Sequence, residues 1–97
     1  MKLCDFKGDK GIEVAGKLMI PMMEMLANPI VNKEMQKDVM HGLGAGMVHT
    51  PKQIKEMLAV LNDKPVEEVE MDGGVALVGV FEMLDDPAIQ RLFGLQS

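Results

Sequence analysis

Ninety-seven residues, 47% of them hydrophobic, with 15 acidic against 10 basic side chains, describe one domain (1–97) with a thin core rather than a disordered chain. The net charge of −5, the lack of a basic stripe and only three aromatic residues (all Phe) disfavour a nucleic-acid binder that neutralises phosphates or stacks bases. A single cysteine, Cys4, excludes an internal disulfide, no apolar run reaches the roughly 18 residues of a membrane span, and charges occupy the place of a signal peptide's apolar region, so the expected compartment is the cytoplasm.

The first predicted element is a helix from about Asp9 to Ala27, with Asp9 as N-cap. Ile12, Ala15, Gly16, Met19, Met22, Met23 and Leu26 recur at helical spacing as its core stripe. Val14, Leu18 and Met25 widen the apolar arc beyond what a surface helix needs, which suits a central or partnered helix. Pro21 removes one backbone donor, so a kink is expected near residues 17–21.

Asn28-Pro29 reads as a cap followed by a first-turn proline. The helix it starts is expected to run to about His41, with Val31, Met35 and Val39 on one face. "HGLGAGMVH" (41–49) then reads as a glycine-rich connecting loop. "TPKQ" (50–53) has the form of a capping box, Thr50 capping and Gln53 reaching back, ahead of a helix with Ile54, Met57, Leu58 and Leu61 on one side. Asn62 and Asp63 end it.

Residues 66–81 allow two readings. Asp72-Gly73-Gly74 fits the turn of a short hairpin, or Asp72 caps a helix whose Val75, Val78, Phe81 and Leu84 repeat every three or four residues. The helix is preferred, because "VEEVE" does not alternate cleanly. Asp86-Pro87 starts a last short helix with Ile89, Leu92 and Phe93 on one side. The expected fold is all-α, a small single-domain bundle of four to five helices.

Candidate chemistry is sparse. His41 and His49 have no third or fourth ligand nearby to complete a metal site. Gly42, Gly44 and Gly46 spell G-x-G-x-G, without the spacing or the preceding strand of a dinucleotide fingerprint. Glu67, Glu68, Glu70 and Asp72 lack the ligand order of a calcium loop and read as a solvated acidic face. No nucleophile stands with a base and an orienting acid, so no catalytic residue, metal or cofactor is assigned.

The remaining signal is methionine: 11 in the chain, four of them in "LMIPMMEML" (18–26). Thioethers bind copper(I), but no His or Cys accompanies these. They serve either as core filler or as an adaptable surface for apolar helices of a partner. On the second reading the groove is Leu18, Met22 and Met25 of the first helix with Met57 and Leu61 of the capped one. A possible homo-oligomer fits the wide apolar arc of the first helix.

Three stretches carry a family resemblance. "MKLCDFKGDKGIEVAGKLMIPMMEMLANP" resembles the opening of small tail-operon proteins from phages and prophages of Gram-positive bacteria. "IKEMLAVLNDKPVEEVEMD" and "FEMLDDPAIQRLFG" are similar to their later segments. Departures are the glycine-rich stretch at 42–46 and the glycine- and valine-rich "DGGVALVGV". The family consists of helical, acidic tail assembly chaperones that keep the long tape-measure protein soluble while the tail tube forms. The resemblance implies a non-enzymatic, cofactor-free role in the bacterial host cytoplasm with the tape-measure protein as partner, and the charge and hydropathy above lead to the expectation that neither nucleic acid nor membrane is involved.

Overall fold

A computed structural model describes residues 3–69 and 72–94, with side chains described for most of them. The described residues form six α-helices and two single 3-10 turns joined by short connections: a turn at Leu3–Asp5, α1 Gly8–Leu26, α2 Pro29–Met35, α3 Val39–His49, α4 Pro51–Leu61, a turn at Val66–Glu68, α5 Gly73–Leu84 and α6 Pro87–Gly94. No strand occurs among them. The fold is all-α, and the preferred helix at residues 73–84 forms. Asp72 caps it, its Oδ1 accepting from the Val75 amide at 2.8 Å. The side chains of Leu92 and Phe93, assigned to one face of α6, lie outside the described residues, as does that of Cys4.

Six helices stand where four or five were expected, because the glycine-rich stretch is helical. The second helix stops at Met35, and Asp38 restarts the chain, accepting from the His41 amide at 2.7 Å. The glycines of α3 serve close approach rather than flexibility. A Cβ on Gly42 would stand 2.8 Å from the Met35 Cα, and one on Gly46 would stand 2.7 Å from the Met25 Sδ. Small residues here let α3 lie directly on α2 and leave room for the Met25 side chain of α1.

The capping box at 50–53 does not form. Since α3 runs to His49, Thr50 closes one helix while opening the next. Its hydroxyl donates back to the Gly46 carbonyl at 2.9 Å, and Gln53 reaches across to Glu24 instead, at 3.4 Å. At the other end of α4, Asp63 takes a left-handed φ of +55°. The Lys64 amide then bonds the Ala59 carbonyl and the Asp63 amide that of Val60, which satisfies two end carbonyls. At the start of α1 the cap position falls to Lys7, without a side-chain bond, and Asp9 lies inside the first turn.

The core face of α1 is rotated from the expected stripe. Val14, Leu18, Pro21, Met22, Met25 and Leu26 are buried, while Ile12, Met19 and Met23 are exposed. At 100° per residue the two stripes differ by about a quarter-turn. Both sides of α1 are apolar, so the helix alone does not choose between them. The choice is made by α4, which packs along α1 through Met57, Leu58 and Leu61.

Candidate functional site

The five residues assigned to a partner groove come together, but inside the molecule. Leu18, Met22, Met25, Met57 and Leu61 all belong to one core cluster, none more than 6% exposed. An open groove lined by them is therefore not a feature of this structure. They are the α1–α4 interface, and their apolar surface is already covered by each other and by Val31, Leu43 and Ile54. The four methionines of residues 18–26 considered for copper are divided, Met22 and Met25 inward and Met19 and Met23 outward.

The polar candidates are accounted for locally. Nδ1 of His41 lies 2.8 Å from both carboxylate oxygens of Asp38, the residue that also caps α3. The backbone N–H of His41, and then its ring, hold the Asp38 carboxyl below its ordinary pKa. His49 is exposed at the end of α3. Among the described residues, no group of three or more His, Cys, Asp or Glu side chains is placed to hold a metal ion. None of their buried side-chain polar atoms lacks a hydrogen-bond partner either. Asp86, 1% exposed, accepts from the Leu3 amide at 2.6 Å and the Ala88 amide at 3.0 Å, a structural clamp between the N-terminal turn and α6.

What the surface offers instead is apolar. Two shallow, mostly apolar clefts stand out among the described residues. One, of about 460 Å³, runs between α2 and α3 past Ile30, Met40, Ala45 and Val48, with Glu34, His41 and His49 on its rim. The other, of about 380 Å³, runs between α1 and α4 past Ile20, Pro21, Ala59 and Val60, with Lys17, Glu56 and Lys64 at its edges.

The third surface is a whole helix face. Along α5 only Glu82 is charged, so the helix is apolar nearly all round. It rests on α3, α4 and α6 through a narrow strip. Val80 and Met83 are buried, and Gly79 lies so close to α4 that a Cβ there would stand 2.8 Å from the Leu58 Cδ2. Val75, Leu77, Val78 and Phe81 are left about half exposed, at 49–58%. Leu77 and Phe81 form one i, i+4 ridge, and Val75 and Val78 lie alongside at i, i+3 spacing.

Sequence periodicity picked out Val75, Val78 and Phe81 as a repeating set but assigned them no role, and it missed Leu77. The available signal was the composition of residues 73–84. A helix with a single charge, in a chain too small to bury it on all sides, must show one apolar face to the outside.

No single helix among the described residues is long and apolar enough to cross a membrane. Compared with known proteins, the chain matches no family model, no curated protein and no solved structure.

Proposed function

We propose that this chain is a non-enzymatic, helix-binding assembly chaperone acting in the bacterial host cytoplasm. Its client on this reading is a long helical phage tape-measure protein, held soluble during tail morphogenesis. The observation that carries the proposal is the bare apolar face of α5, with Leu77, Val78 and Phe81 turned outward. Contiguous apolar surface on a small folded domain marks a place where something docks. An amphipathic helix laid against such a face is a recurring mode of recognition.

The resemblance of three sequence stretches to tail assembly chaperones supports the identity of the client. Negative charge supports the role as well, since it keeps a protein with exposed apolar residues soluble. The binding surface in this proposal is α5 rather than the methionine cluster, which is needed for the core.

The test is co-expression of the tagged chain with the longest helical open reading frame of its own tail operon. Recovery of that protein in the soluble fraction, and only when the chain is present, is the expected result. A client equally soluble without it overturns the chaperone reading. Tight one-to-one capture of a small, compact protein instead identifies an interaction module of a different role.

A further inference from the structure

The charge of this chain is unevenly distributed. From Pro65 to Gln90 the sequence carries seven acidic residues and no Lys, Arg or His, while the rest of the chain holds eight acidic and ten basic residues. The whole negative balance therefore resides in the segment that contains α5.

On α5 itself the acidic charge lies at the C-terminal end of the apolar face. The ridge Leu77–Phe81 continues at the next i+4 step to Asp85, and Val78 leads by the same step to Glu82. Glu82 and Asp85 are both exposed. They sit at the helix C-terminus, where the backbone dipole adds further negative potential. At the other end Asp72 is exposed but serves as the helix cap, in register with the packed Gly79 and Met83 rather than with Leu77 and Phe81.

We infer that the outward face of α5 docks a basic amphipathic helix of a partner protein, whose apolar stripe covers Leu77, Val78 and Phe81 and whose Lys or Arg residues lie over Glu82 at the acidic C-terminal end of the helix. This rests on the helix-binding reading above and specifies its site and the chemistry of the client segment. A second copy pairing through α5 is a poorer occupant: in parallel it would set Glu82 against Glu82, and antiparallel it would offer Glu82 no basic residue, since residues 65–90 carry none. The two clefts elsewhere carry charges of both signs or histidines on their rims and lack this selectivity.

The experiment uses the full chain and two labelled synthetic helices of 16 residues. Both have the same leucine stripe at i, i+3, i+4 and i+7 spacing, with lysines flanking it in one and glutamates in the other. Binding is read by fluorescence anisotropy at 50 and 500 mM NaCl. The lysine helix is expected to bind at least tenfold more tightly at low salt, with the difference shrinking at high salt. Leu77→Ser with Phe81→Ser should weaken it at least tenfold, and Glu82→Lys should reduce the preference between the two helices. Glu82→Lys leaves the apolar face intact, so it keeps the test decisive if the serine variant does not fold.

Equal affinity for the two helices overturns the inference. So does lysine-helix binding that neither variant changes, although the helix-binding reading then stands with its site elsewhere. Sedimentation showing a dimer that Phe81→Ser dissolves assigns the face to a second copy and also overturns it. If neither helix binds and the tail-operon client is not solubilised, the underlying reading fails as well.

Discussion

The Cα of Met35 lies 2.8 Å from where a Cβ on Gly42 would stand, with the Met35 Sδ and Cε crowding the same point. The side-chain tip could move aside, but the backbone Cα would still block the space. Gly42→Ala should therefore destabilise the fold by about 1–3 kcal/mol, an overpacking cost, although alanine normally favours a helix by up to about 1 kcal/mol. Gly44, two residues on, is exposed and has nothing within 4 Å of its would-be Cβ. Gly44→Ala should stabilise by about 0.5–1 kcal/mol. Thermal unfolding of the two variants checks the opposite signs. A gain in stability for both variants would mean that α2 and α3 do not approach this closely.

The methionines give a second contrast. Met25 is fully buried and Met23 is 61% exposed on the same helix. Met25→Ala should cost about 2–5 kcal/mol in denaturant unfolding, and Met23→Ala should stay within about 0.5 kcal/mol of the parent. Equal small effects would place Met25 at a surface after all.

Much of this was readable in advance, and the failures have specific causes. Asn28, Asp72 and Asp86 announced the starts of α2, α5 and α6, because a short polar side chain before a helix has few other uses. Gly42 and Gly46 misled, because glycine signals equally a flexible loop and a close helix contact, and only the neighbours Met35 and Met25 distinguish the two. Leu18 and Met25 misled for a related reason. On a helix that is apolar on most sides, periodicity gives the width of the arc but not which part of it the rest of the chain covers. The α5 face was missed because its residues look like core until α4 is seen to meet them only through the strip at Gly79, Val80 and Met83.

Asp86 should matter more than its position near the chain's end suggests. Its Oδ2 holds the Leu3 amide at 2.6 Å and its Oδ1 holds the Ala88 amide. Asp86→Ala leaves the Leu3 and Ala88 donors without their acceptor and should cost about 1–3 kcal/mol. Hydrogen exchange should show Leu3 and the start of α6 losing protection together. Loss of protection at α6 alone would contradict the clamp.

Acid should loosen the start of α3. The His41 backbone N–H and ring hold the Asp38 carboxyl below its usual value of 3.8. A carboxyl lowered on folding contributes stability that is fully present above the unfolded pKa and lost as pH falls through the folded one. That contribution should thus fade below about pH 4, given the ordinary aspartate range. A carbon-13 titration of the Asp38 carboxyl should show a midpoint below 3.8. Asp38→Asn keeps a good cap and should remove this part of the acid dependence. A midpoint at or above 3.8 would contradict the geometry.

The central claim is that partners meet α5 while the methionine cluster stays closed. Amide chemical-shift mapping of the nitrogen-15-labelled chain, titrated with the lysine-flanked helix, tests it most directly. The account expects the largest changes from Val75 to Asp85, with the amides of Leu18, Met25 and Met57 little moved. Changes centred on Leu18–Met25 and Met57–Leu61, with α5 silent, would mean that the core opens to take the client and would contradict the account.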